Sequence, residues 1–318
     1  MKTTLKIFRK IYLKLFGKED HLNGRNMKMI SDKCNSNRMM FEVLEYDKPC
    51  MIGRLGANEL SCMANYLGVK AKKKDRLKYI KGNSQPWWWE KTILAQMENF
   101  AGFFPATETN IEKFCSLMMD DMKELDILGS WLLQEQLFVD ELQNTKRVML
   151  EDIEPFFCDN PWTLALKGKK VLVIHPFAET IESQYQKREK LFVNGLLPEF
   201  DLKTIKAVQS LGGKNPKYHN WFDALESMKN EINSTDFDIA IIGCGAYGFP
   251  LAAHVKRIGK KAIHLGGVTQ VLFGIIGKRW ELRYKFWPYM NLFNEHWVRP
   301  ADSEKPESAD QVEGGTYW

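Results

Sequence analysis

Several absences narrow what this chain of 318 residues can be. Its six cysteines, at 34, 50, 62, 115, 158 and 244, form no C-x-x-C pair and show no metal-ligand spacing with histidine. Neither a disulfide framework nor a zinc site is expected, and a reducing cytoplasm suits such a chain. No uninterrupted apolar run approaches the ~18 residues of a membrane-spanning helix, and no solenoid-type repeat is present. A basic body is also missing. The formal charge of +5 is concentrated at the start, where Lys2, Lys6, Arg9, Lys10, Lys14 and Lys18 precede the first acidic residue. Beyond them, 39 of the 45 basic residues stand against 40 acidic ones. So balanced a body lacks the electrostatic footprint of a nucleic-acid-binding domain, and no nucleic-acid partner is expected.

What is present begins with that basic start. On a helical wheel Leu5, Phe8, Ile11, Tyr12, Leu15 and Phe16 share one face and the Lys/Arg residues mostly occupy the other. The pattern fits a helix lying in an anionic membrane interface, and equally a surface helix packed on the body. Charges interrupt every candidate apolar core, so a signal peptide is a poor reading. After a polar linker near Lys18–Asn26, a helix is expected over Met27–Leu44 and a strand over Pro49–Gly53. The turn that follows carries Arg54, Gly56, Asn58 and Glu59, and a helix runs on through Leu67. The basic residues from Lys70 to Lys81 read as a solvated loop or face. Pro86 and the three tryptophans after it open an aromatic, helical region reaching about Leu142, as a sugar platform or a packing cap.

The second half is more explicit. Lys146–Leu150 reads as a short strand and Lys169–Ile174 as a clearer one, whose end carries His175 and Glu179. Phe237–Ile242 is a short β-branched run of the kind buried in parallel sheets, and it ends in Gly243-Cys-Gly245-Ala246-Tyr247-Gly248. A helix follows to about Arg257, then a strand over Lys261–His264, then the turn Gly266-Gly267 and a helix that starts near Val268 and includes Gln270. The expected fold is therefore α/β and Rossmann-like: a mostly parallel sheet flanked by helices. Residues 1–20 form a basic amphipathic helix, 21–300 a single catalytic domain and 301–318 a polar tail.

Ligands of such sheets bind beyond the carboxyl ends of the strands, where glycine turns and helix N-termini favour anions. GCGAYG matches the dinucleotide fingerprint in the required strand-turn-helix context. A nicotinamide site also wants an acidic residue roughly 20 positions on to hold the ribose, yet none occurs between Asp238 and Glu281. That gap counts against an NAD-dependent oxidoreductase, which stays as the alternative, and against a methyl-donor site. Backbone groups of 243–248 and 266–267 can instead take phosphate oxygens, with Lys278 and Arg279 balancing charge. Arg54 can bind an anion or fix its turn, and Glu59 can serve as base or metal ligand. A nucleotide-sugar presents a fitting diphosphate, whose departure these groups would stabilise. Glu59, or Glu179, would deprotonate an acceptor hydroxyl.

The segment Met51-Ile-Gly-Arg-Leu-Gly-Ala-Asn-Glu-Leu60 resembles the R-F-G-D-G-E turn of bacterial GT-D-type glycosyltransferases. GCGAYGFPLA and KKAIHLGGVTQVLFGIIGKRW resemble the C-terminal half of related surface-polysaccharide biosynthesis proteins. The resemblance implies a glycosyltransferase of hexosyltransferase type; the cysteine pattern and the basic amphipathic start add the expectation of a cytoplasmic protein, peripheral at the inner face of the cell membrane. It would move sugar from a UDP-sugar to a glycan or lipid-linked acceptor, with a divalent metal, Mn or Mg, held by an acidic D-x-E pair. Here Glu59 matches the glutamate, but Ala57 replaces the aspartate. The departure points to a metal-independent reaction in which Lys278 and Arg279 replace the cation's charge, or to a non-catalytic nucleotide- or glycan-binding subunit of an assembly machine.

Overall fold

Seven short strands form one parallel sheet: β1 (Cys50–Gly53), β2 (Ile127–Ser130), β3 (Lys146–Met149), β4 (Lys170–His175), β5 (Asp201–Lys206), β6 (Ile239–Ile242) and β7 (Lys261–His264). Their order across the sheet is β3-β2-β1-β7-β6-β4-β5, and every pairing is parallel. The computed structural model describes residues 1–17, 29–192, 194–210, 215, 217–282, 288–305 and 317–318. The linker expected over Lys18–Asn26 lies outside the described residues, and so does most of the expected tail.

Successive strand residues point to opposite faces, and each face is apolar because helices cover both. Met51, Leu172, Ile242 and Ala262 pack under the helices Ala57–Lys70, Glu108–Met122, Trp221–Ser234 and Gly248–Arg257. Ile52, Val173, Ile241 and Ile263 pack under Lys33–Glu45, Ala178–Tyr185 and Val268–Leu272. The chain thus leaves β1 and β6 toward one face and β4 and β7 toward the other. In the order β1-β7-β6-β4, neighbouring turns alternate in direction, which opens a crevice at the carboxyl ends of these strands.

Two strands are absent from the sequence reading. β2 falls inside the stretch expected to be helical up to Leu142, because its four residues, all buried, offer no alternation to distinguish them from a helix segment. β5 is the sheet edge, with Asp201 and Lys206 exposed and polar residues between, so its apolar signal is diluted.

The N-terminal helix, Lys2–Leu15, docks on the body through Leu5, buried against Tyr79 and Trp88. Arg9 is buried beside it, donating to the carbonyls of Tyr79 at 2.8 Å and Ser84 at 3.0 Å. Two of the three tryptophans serve this contact: Trp87 and Trp88 pack edge-on against Tyr79 and each other, whereas Trp89 stacks on Tyr66 in the main core. Near the other end, the segment read as a polar tail is tied down where it is described. The buried Glu304 carboxylate accepts from the backbone N–H groups of Glu179 at 2.8 Å and Thr180 at 3.3 Å, and from the Thr180 hydroxyl. It caps the Ala178–Tyr185 helix from outside. Glu304→Ala is expected to cost about 2–4 kcal/mol, since it strands several buried donors at once; urea unfolding measures it, and a change near zero would mean that the cap contributes nothing to stability.

Candidate functional site

The crevice is a cavity of about 280 Å³ lined by the turns after β1, β4, β5, β6 and β7. That is close to the low end of the ~300–1,000 Å³ range of small-molecule sites. The loops bearing Glu59, Tyr247 and Gly266 all converge on it.

In the first turn, Gly56 is the N-cap of the Ala57–Lys70 helix and contributes no side-chain cap. A helix whose first amides lack a cap attracts negative charge, and Glu59 turns back onto it. The carboxylate lies so close over Gly56 that any Cβ there would overlap it. Desolvation raises the Glu59 pKa, opposed by its own backbone N–H and by the Arg54 charge. Arg54 is held in turn by Trp131, whose ring its guanidinium overlies at 5.0 Å. Both side chains donate to the Leu55 carbonyl, Arg54 Nη2 at 3.2 Å and Trp131 Nε1 at 3.0 Å. From the β7 turn, Gly266 with φ +62° runs against Arg54 Nη1. Arg279 joins from beyond the Val268–Leu272 helix, its Nη1 donating to the Tyr317 hydroxyl at 2.5 Å. Among the described residues, two guanidiniums therefore reach the cavity with a single acidic side chain, Glu59.

The β6 turn supplies backbone more than side chains. Gly245 sits at φ +56°, and a Cβ on Gly243 would come 2.5 Å from the Gly266 carbonyl oxygen, so the two glycine turns interlock. Tyr247 is committed to the core: it stacks on Trp221 at 5.0 Å and 9°. Ser210 donates to the Gly102 carbonyl at 2.6 Å and so accepts from the Tyr247 hydroxyl at 2.9 Å.

Both histidines at strand ends are buried and neutral. Burial pushes His175 and His264 down to about 3, with Arg54 adding to the effect on His264. Phe177 N–H donates to His175 Nδ1 at 3.0 Å. The ring proton therefore sits on Nε2, which has no protein partner among the described residues while His175 lines the cavity. His175 is placed as a hydrogen-bond donor and is a weak proton shuttle at neutral pH. His264 lies 3.3 Å through Nδ1 from the Ile242 carbonyl.

Three residues singled out in the sequence stand outside the cavity lining. Glu179 is exposed and paired with Lys206 at 2.8 Å. Lys278 is exposed. Gly248 packs against the His264 ring so tightly that a Cβ would overlap it. Arg54, Gly56, Asn58, Glu59, His175, Gly243, Gly245, Ala246, Tyr247, His264, Gly266, Gly267, Gln270 and Arg279 all line the cavity. Sequence reasoning does not reach Trp131, Ser210, Tyr317 or Trp318, which line it too. Trp131 and Ser210 follow the two strands that carry weak signals, and Trp318 comes from the far end of the chain.

Some polar atoms of the wall are unsatisfied. Gln270 donates to the carbonyls of Ile275 and Tyr317, but among the described residues its buried Oε1 has no partner, and neither has the Trp318 indole N–H. For a divalent cation the donor set is poor: among the described residues no group of three or more His, Cys, Asp or Glu side chains could hold one. With Glu59 alone, such an ion would draw nearly all its ligands from substrate and water. Comparison with protein-family models, curated proteins and solved structures returned no match.

The buried histidines carry a pH signature. Their folded pKa, about 3, lies below the ordinary 6.5, so the unfolded chain binds more protons between these values. Their contribution is complete above pH 6.5 and is lost as pH falls toward 3, on the order of 2 kcal/mol each by about pH 5. Thermal melts from pH 7 to 5 should show the fall, and His175→Asn, which keeps an acceptor for the Phe177 N–H, should flatten part of it. An unchanged slope would contradict a neutral buried imidazole.

Proposed function

We propose that this protein is a glycosyltransferase that moves a sugar from a nucleotide diphosphate, UDP in the first instance, to a hydroxyl of a glycan or lipid-linked acceptor in surface-polysaccharide synthesis. The observation that carries the reading is the composition of the cavity: among the described residues, two guanidiniums, glycine-turn backbone and a single acidic side chain with a raised pKa, at the carboxyl ends of a parallel sheet. The motif resemblance around Arg54–Glu59 supports the same class.

Arg54 and Arg279 bind the diphosphate and carry its charge as the glycosidic bond breaks. Arg279 takes the role that charge counting alone gave jointly to Lys278. Backbone groups of the Gly243–Tyr247 turn and His175 Nε2–H add neutral donors, which stabilise an oxyanion without altering net charge. Glu59 removes the acceptor proton; desolvation makes it a stronger base than a surface glutamate. The unpaired Gln270 Oε1 and Trp318 N–H offer an acceptor and a donor to the nucleoside or sugar. Among the described residues no metal centre assembles, and the charge of the diphosphate falls to the two guanidiniums.

Glu59→Gln should lower transfer about 100-fold or more while UDP affinity, measured by calorimetry, stays within a few-fold. Arg279→Ala should instead weaken UDP binding about tenfold or more, the scale of a lost charge-assisted hydrogen bond. Retained turnover in Glu59→Gln would remove the glutamate from the chemistry, and UDP binding indifferent to Arg279 would remove that guanidinium from the diphosphate. Gly56→Ala should reproduce the Glu59→Gln defect with its helix intact by circular dichroism, because the added methyl displaces the carboxylate.

A further inference from the structure

We infer that the N-terminal helix and the basic segment beside it form a docking surface for an anionic lipid bilayer, and that the helix reaches this surface already folded. This inference stands independently of the sugar-transfer reading.

The helix has two apolar faces. One is spent on the body, where Leu5 and the hydrogen-bonded Arg9 are buried. The other points to solvent: Ile7, Ile11 and Leu15, spaced four residues apart, are 53%, 48% and 75% exposed, and Phe8 beside them is 52% exposed. Large apolar side chains in one continuous stripe, unlike scattered ones, mark an interaction surface. Lys2, Lys6, Lys10 and Lys14 are exposed on the same helix, which carries no acidic residue.

The neighbouring segment extends this surface. The Arg76–Ile80 helix packs along the N-terminal helix through Tyr79, and Arg76 reaches the Met1 sulfur at 3.7 Å. Lys72, Lys73, Lys74, Arg76, Lys78 and Lys81 are all exposed there, and Leu77 is 67% exposed among them. The nearby acidic groups are engaged: Asp75 accepts from the Lys78 backbone N–H at 2.9 Å, and Glu90 is paired with Lys6 and with the Trp88 indole.

Charge selects the occupant. Two copies joined through this stripe would bring lysines against lysines, a like-charge contact that opposes association. An anionic bilayer accepts both components, the lysines at the headgroups and the apolar stripe at the acyl boundary. Among the described residues no helix is long and apolar enough to cross a membrane. Because the helix is fixed to the body by Arg9 and Leu5, binding needs no coil-to-helix transition.

The test is co-sedimentation of the full chain with phosphatidylglycerol-containing vesicles and with pure phosphatidylcholine vesicles, at low and high salt. Binding is expected only to the anionic vesicles, weakened by salt and with no gain in helicity by circular dichroism. Ile11→Glu with Leu15→Glu, at exposed positions, should reduce partitioning about tenfold or more. Lys72→Glu, Lys73→Glu and Lys74→Glu together should reduce it several-fold with the N-terminal helix untouched. Both variants should melt like the parent protein. Equal binding to neutral vesicles, unchanged partitioning of Ile11→Glu/Leu15→Glu, a rise in helicity on binding, or a solution dimer that this variant dissociates would each overturn the inference.

Discussion

Everything at the site follows from one constraint on the sheet: adjacent parallel strands deliver their chains to opposite faces. β1 and β6 feed one helical layer, β4 and β7 the other, and the layers draw the turns apart. Were neighbouring turns to leave on the same side, helices would close over the strand ends and the apolar packing of both faces would continue through the crevice. The glycine turns then limit how far the separation goes. Gly243 meets the Gly266 carbonyl and Gly266 meets Arg54, so backbone from β6 and β7 is brought against the cation from β1.

The electrostatics of the cavity depend on few groups. Among the described residues that line it, two permanent cations stand against a single acidic side chain, an excess of positive charge. The histidines do not blur that balance, since burial holds both neutral across the physiological range. Neutral donors and fixed guanidiniums form a preorganised environment, the kind most effective where charge develops during a reaction.

The legible parts of this architecture were those whose local chemistry is self-contained. Ile239–Ile242 is an apolar run that ends directly in Gly243, and Lys261–His264 lies between Gly259 and Gly266, so their ends, and the direction in which the ends face, follow from a few residues. The same holds for Cys50–Gly53 and the turn after it. Where a signal depends on a partner, it fades: β2 gains its identity only from pairing with β1 and β3, and Trp131, at its end, inherits that weakness. Lys278 and Arg279 are adjacent in the chain, yet only Arg279 meets the cavity, a distinction made by Tyr317, thirty-eight residues on. Glu179 sits beyond a strand end as expected, but Lys206 from the edge strand and the helix direction take it outward.

The closeness of Glu59 to Gly56 binds the two positions into one heritable unit. A lineage that kept the carboxylate in its present place would have to keep the glycine, whereas one that let the carboxylate swing away would free position 56 to drift. Among descendants of this chain, a side chain at 56 would therefore be a molecular fossil, recording that the carboxylate of residue 59 had already left its place over the turn.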